Sequence, residues 1–375
     1  MITSLLILAA DVAPIVDDAV ARTGAGADPS MTAGDPRPLL CVAWFLLLGV
    51  LLAGYAILDG FDLGVGILHP FVPKDDTERR VSLNAIGPVW DGNEVWLVTF
   101  GGAMFAMFPY AYASIFSGFY TAFMLLLLCL IFRAVSIEFR GKMKSQGAKR
   151  AWDVGFFAGS AGATLLFGVA VGNALRGLAI DAEGTFTGGL FDQLHPYTLL
   201  TGALAVALFA MHGAIFLHLK AEGEYHERLR HTMWTTFGLF LVLYLLVTMY
   251  TLAEVPRAVA NFRAHPWLWV VPVLNVLAIA NIPRAIYQDR PKYAFVSSCA
   301  TILAFVFLLM AALFPNMVSA TDPANDISIY DAASSNKTLV IGLIIVALGM
   351  PFVVTYTAII YWTFRGKVRL DPHSY

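Results

Sequence analysis

Gly87-Pro88-Val89-Trp90-Asp91-Gly92-Asn93-Glu94-Val95-Trp96-Leu97 opens a stretch whose residues 95–132 carry no charged side chain. A single helix crosses a ~30 Å hydrocarbon core in about 20 residues, so this run is too long for one span. Phe108-Pro109-Tyr110 divides it, because proline breaks a helix and aromatic rings favour the membrane interface. The stretch predicts two membrane helices joined by almost no loop, with Asp91 and Glu94 inside the first. An ionisable group at a helix centre costs roughly 2.5–3.5 kcal/mol on insertion scales. Two carboxylates kept three residues apart at such a cost predict a use, and carrying protons is the simplest one.

Working outward, the whole chain has the same solvent preference. Its 375 residues are 58% apolar and 13% charged, with a mean hydropathy of +0.71. A soluble domain of this length does not have that balance, so the chain is a polytopic membrane protein in a lipid bilayer. The formal net charge of −2 argues against a nucleic-acid partner. Nine spans are predicted, at about 38–60, 83–108, 110–135, 153–176, 196–219, 232–254, 266–284, 293–316 and 338–364. Residues 1–36 begin apolar but are interrupted by Asp11 and Pro14, with no preceding basic residue. They make a poor signal peptide and read as an external N-terminal extension.

Nine spans place the termini on opposite sides. Seventeen Lys and Arg residues then fall in one set of loops, six in the other, and Arg133 is left at a helix end. The basic side is cytoplasmic, which puts the N-terminus outside and the C-terminus inside. The expected fold is all-α, with a four-helix bundle over 37–180, a second over 195–317, and a peripheral ninth helix at 338–364.

Orientation also assigns depth. Asp91 falls about eight residues into its span, or ~12 Å, with Glu94 one turn deeper. Asp59 and Asp62 lie near the inner end of the first span, and Arg133 near the inner end of the third. Three consecutive helices thus bring four acids and one arginine to the same cytoplasmic third of the membrane. For Asp91 and Glu94 the reading is a proton path fed from the cytoplasm. For Asp59 and Asp62 that reading stands beside a structural ion pair, because Gly60, Gly64 and Gly66 around them suit close helix contact. Arg133 reads as a structural ion partner.

Of eight histidines only His212 and His218 lie well inside a span, some 120° apart around it. That spacing suits haem ligation poorly, and His212 reads as a hydrogen-bonded interior group. Cys41, Cys129 and Cys299 are scattered through apolar runs, which favours neither disulfide nor zinc. Pro272 and Pro351 are each expected to kink a span.

The run 87–97 together with Gly101-Gly102-Ala103-Met104-Phe105-Ala106 and Phe116-Ser117-Gly118-Phe119-Tyr120 resembles subunit II of the cytochrome bd-type quinol oxidases. So do Leu58-Asp59-Gly60-Phe61-Asp62-Leu63-Gly64-Val65-Gly66, Asp76-Thr77-Glu78-Arg79-Arg80 and Gly172-Asn173. The resemblance implies a prokaryotic cytoplasmic-membrane complex in which two homologous nine-span subunits pair. Subunit I carries b-type haems, a d-type haem or a further b-type, and the quinol-oxidising loop. Subunit II carries no haem, and a small single-span subunit often joins the pair. The complex reduces O2 to water with electrons from quinol, taking its chemical protons from the cytoplasm. Asp91 matches the family's proton-path aspartate. Trp96 matches a tryptophan near an O2 route in some members. Glu94 stands where some members have glutamine. A structural quinone occupies this subunit in some members and not in others, so none is placed here. Outside this resemblance, a proton-coupled secondary transporter would use the same carboxylates, although Pro272 and Pro351 do not form the paired broken helices of that class.

Overall fold

The computed structural model describes residues 37–370, so the extension expected over 1–36 lies outside the described residues. The described chain is helical throughout its apolar stretches. Twelve helices follow in order: α1 (Arg37–Leu68), α2 (Asp76–Ile86), α3 (Trp90–Met107), α4 (Pro109–Gly118), α5 (Tyr120–Arg140), α6 (Gln146–Arg176), α7 (Pro196–Lys220), α8 (Gly223–Glu254), α9 (Ala260–Ala264), α10 (Val270–Tyr287), α11 (Pro291–Leu313) and α12 (Asn336–Thr363). Among the described residues eight helices are long and apolar enough to cross a membrane: α1, α5, α6, α7, α8, α10 with its leading turn from Pro266, α11 and α12. The helix with the acid pair, α3, has 18 residues, or ~27 Å, and its polar first turns keep it out of that set.

Two of the expected spans are divided differently. The one expected over 83–108 breaks at 87–89, because Pro88 has no N–H to continue the ladder. The residues before the break form the short, polar α2. Its N-cap Asp75 accepts the Glu78 N–H at 2.9 Å, and Glu78 reaches back to the Lys74 N–H at 2.7 Å, a reciprocal cap like a capping box. Asp91 is therefore the second residue of α3, not eight residues into a span. The span expected over 110–135 is interrupted again at Phe119, where α4 gives way to α5. There the Gly118 carbonyl receives the Gln193 side-chain amide at 2.6 Å, a tertiary bond with no local sequence signal. The break at Phe108-Pro109 falls where expected, with Pro109 opening α4. Pro272 lies in the first turn of α10, where a missing N–H costs little. The proline inside that helix is Pro283, while Pro351 does lie inside α12.

The centre of the molecule is α1, packed against α3, α6, α7, α11 and α12. Its closest approach is to α7. A Cβ placed on Gly64 would lie 1.9 Å from the Phe209 carbonyl oxygen and 2.9 Å from the Gly213 Cα. Only a missing side chain lets the two backbones meet there, as small residues do at membrane helix crossings. At one end of the molecule the loops close into a cap. Strands β1 (Asn316–Val318) and β2 (Ile327–Ser328) pair antiparallel, Asn325 donates to the Ile180 carbonyl at 3.0 Å, and Ser334 N–H donates to Met107 at 2.8 Å.

The opposite end, where the basic loops gather, is held by ion pairs. Arg140 binds Asp153, which also meets His69 at 2.7 Å. Asp76 accepts from Arg140 at 2.8 Å and from Lys149 at 2.9 Å. These pairs tie the start of α2 and the end of α1 to the α5–α6 turn. Burial pushes the Asp76 carboxyl up, but the bonds from Lys149 and Arg140 outweigh it and hold the group below the usual aspartate range.

Gly64→Leu should cost about 3 kcal/mol or more by overpacking and lower the melting temperature of the detergent-purified complex. Gly101→Ala, where an added Cβ meets nothing within 4 Å, should leave it unchanged; equal melting temperatures would refute the close α1–α7 contact. Asp76 contributes stability that is complete above the ordinary aspartate value near ~4 and disappears as pH falls through its lowered one. The stability gap between wild type and Asp76→Asn should therefore narrow below about pH 4. With Asp76 more than a third exposed, the gap should stay under ~1 kcal/mol, and a gap that widens on acidification would contradict the pairing.

Candidate functional site

One turn of α1, from Ile57 to Asp62, collects polar partners from several helices. Arg133 of α5 has no exposed surface and grips Asp59 with both terminal nitrogens, Nη1 at 2.9 Å from Oδ2 and Nη2 on Oδ1. This is the planar two-point pairing that a guanidinium offers a carboxylate. Nη1 also lies 3.6 Å from Glu94 Oε1, whose side chain is 21% exposed. Tyr55, one turn before Asp59, is enclosed beside that carboxylate.

Asp62, fully buried, receives Asn93 Nδ2 at 2.7 Å on Oδ2, while its Oδ1 has no hydrogen-bond partner among the described residues. The same Asn93 nitrogen donates to the Leu58 carbonyl at 3.1 Å. Tyr361 of α12 donates to Asn93 Oδ1 at 2.9 Å. With nitrogen toward two acceptors and oxygen toward a donor, the amide has one orientation that satisfies every contact. Asn93 thereby joins α1, α3 and α12.

The structure thus brings together Asp59, Asp62, Glu94 and Arg133. It sets Asp91 apart: that side chain is exposed on the chain and has no hydrogen bond or ion pair among the described residues. As the one acid in the first turn of α3, it also sits where a helix's free N–H groups favour negative charge. Trp96 packs on α1, where a Cβ added to Gly54 would fall 2.3 Å from its ring. It borders an apolar groove of about 340 Å³ between α3 and α12, lined among others by Leu51, Gly92, Phe352 and Tyr356.

Asn93 and Tyr361 were not singled out by sequence. Asn93 stood inside the quoted motif, whereas Tyr361 lies in an apolar run with no local signal. His212 is a hydrogen-bonded interior group: Nδ1 lies 2.7 Å from Ser298 Oγ and Nε2 3.0 Å from the Ile57 carbonyl. Both nitrogens lie within hydrogen-bond distance of protein oxygens. No group of three or more His, Cys, Asp or Glu side chains among the described residues could hold a metal ion.

A family model described as cytochrome bd terminal oxidase subunit II matches residues 40–364. The cytochrome bd-I ubiquinol oxidase subunit 2 of Escherichia coli (strain K12) is 35% identical over 359 residues, covering 88% of this chain and 95% of that protein. The cytochrome bd ubiquinol oxidase subunit 2 of Bacillus subtilis (strain 168) is 32% identical over 336 residues, covering 88% of this chain and 98% of its own length. Among solved structures, a chain of the bd oxidase from Geobacillus thermodenitrificans superposes with a TM-score of 0.69 at 17% identity, over 87% of this chain and 98% of that one. At that identity the match speaks for the fold.

Arg133→Leu leaves Asp59 buried without its counter-ion. It should destabilise the complex by about 3–5 kcal/mol, read as a lower melting temperature in detergent. The double variant Asp59→Leu, Arg133→Leu should recover most of the loss. A double variant no more stable than Arg133→Leu would show that the guanidinium's contribution is not its pairing with Asp59.

Proposed function

The chain belongs to the cytochrome bd terminal oxidase subunit II family, and from that premise we propose that it is the haem-free partner of a haem-bearing subunit I and delivers protons to it. Membership makes it a subunit of a respiratory quinol oxidase in the bacterial inner membrane; the roles of its residues are the proposal. It leaves the transporter reading without support.

One observation carries the proposal: the α3 face that exposes Asp91 also holds the half-buried Glu94, in a chain made for lipid. Carboxylates turned to hydrocarbon are costly, so another protein surface covers this face. Subunit I is the partner that fits, and α3 then counts as the ninth span, its polar start sheltered by that contact. The division into bundles over 37–180 and 195–317, with α12 outside them, belongs to the same proposal. So does the orientation with the basic end in the cytoplasm, and the external placement of 1–36.

In this reading protons enter from the basic end and reach Asp91 at the subunit boundary. Glu94 holds a proton or a charge at Oε1 under the influence of Arg133 Nη1. Asp59 fixes that guanidinium. Asp62 is the enclosed acid with one oxygen still free to exchange a proton. The b-type and d-type haems of subunit I supply O2 reduction to water when bound there. His212, the fully buried histidine of α7, does not suit haem in this reading, since both its nitrogens face protein oxygens. Trp96 and its apolar groove form a place where O2 would partition. The proposal also takes in the small single-span subunit that often joins such pairs, and it places no quinone in this chain.

Asp91→Asn should lower quinol-driven O2 consumption and proton uptake of the assembled complex together, by roughly tenfold or more, the scale of a lost proton-transfer group. Haem content should stay normal. Full activity with wild-type proton uptake would remove Asp91 from the path.

A further inference from the structure

His212 is not used by the proton path as described, yet it touches the same turn of α1. It is fully buried on α7. Its ring stacks on Phe295 of α11, with centroids 5.0 Å apart and planes 8° apart, and leans on Phe61 of α1 at 5.9 Å. Nε2 lies 3.0 Å from the Ile57 carbonyl oxygen. A carbonyl only accepts, so Nε2 carries a hydrogen. In the uncharged ring Nδ1 then faces the Ser298 hydroxyl, 2.7 Å away, whose one hydrogen is shared between Nδ1 and the Phe295 carbonyl at 2.8 Å.

The Ile57 carbonyl adjoins the Leu58 carbonyl, which takes Asn93 Nδ2 at 3.1 Å. Asp59 follows, gripped by Arg133, and then Asp62, bonded to Asn93. The turn is therefore clamped from opposite sides: by α3 and α5 through Asn93 and Arg133, and by α7 and α11 through His212 and Ser298. Energies between charges in a poorly polarisable interior depend steeply on distance. A small shift of this turn changes how firmly Arg133 and Asn93 hold the two carboxylates.

We propose that His212 is a positioning residue, which fixes the Ile57–Asp62 turn of α1 from the α7–α11 side and so sets the protonation behaviour of the acid cluster. The proposal rests on the proton-path reading above. Loosening the turn weakens the bonds that favour the carboxylate forms, so the cluster should take up protons at higher pH.

The test compares the pH profile of quinol-driven O2 consumption for assembled complexes carrying His212→Leu, His212→Gln or Glu94→Gln. His212→Leu should move the midpoint upward by about half a unit or more. His212→Gln, whose amide nitrogen can stand in for Nε2, should restore it. Where His212→Leu does not assemble, Ser298→Ala, which unties the outer end of the same link, should shift the midpoint in the same direction. An unmoved midpoint in His212→Leu (or in Ser298→Ala in its place), with Glu94→Gln moved, overturns the positioning role alone. A shift in His212→Leu that His212→Gln leaves uncorrected also overturns it, because lost packing would then be the cause. An unmoved midpoint in Glu94→Gln overturns the proton-path reading itself.

Discussion

The guanidinium of Arg133 has no exposed surface and faces a carboxylate that has none either. Everything else in the central region depends on that pair. Removing two charges from water costs several kcal/mol per ion, and mutual attraction offsets it only when the geometry is good and the other polar atoms are satisfied. Two-point contact between Arg133 and Asp59 meets the first condition. It also pins α5 to α1 at one turn. The neighbouring bonds from Asn93 and His212 then act on a backbone segment already held in place.

The carboxyl groups in this region outnumber the guanidinium. One guanidinium faces Asp59 directly and Glu94 at 3.6 Å, with Asp62 enclosed a turn away. A purely structural ion pair would need one acid. In the proposed reading the surplus of carboxyl groups, one of them with an oxygen that no described side chain or backbone group bonds, suits a cluster that exchanges protons. The graded exposure fits the same use: Asp91 is open, Glu94 half-covered, Asp59 and Asp62 sealed.

Much of this was legible in the sequence because apolar length and charge placement are read directly by the bilayer. Counting spans put Asp59, Asp62, Asp91, Glu94 and Arg133 at one depth, of which the structure gathers all but Asp91, and the glycines beside the aspartates did mark a close helix crossing. What stayed hidden depends on three dimensions. Tyr361 and Ser298 gain meaning only from what packs against them, some 268 and 86 residues away in sequence. The break at Phe119 coincides with a bond made by Gln193 to the Gly118 carbonyl. The break before Trp90 was signalled by Pro88 but overridden by the apolar run after it, and this misplaced Asp91 along its helix. A proline's effect likewise depended on its exact turn, so Pro272 proved harmless at a helix start.

The most direct measurement is redox-induced infrared difference spectroscopy of the assembled complex in the region of protonated carboxyl C=O stretching. The account predicts a carboxyl band that accompanies turnover of the haem-bearing partner and is lost or displaced in Glu94→Gln and Asp62→Asn. A difference spectrum whose carboxyl bands are the same in wild type and in both variants would contradict it, leaving these buried acids as scaffolding.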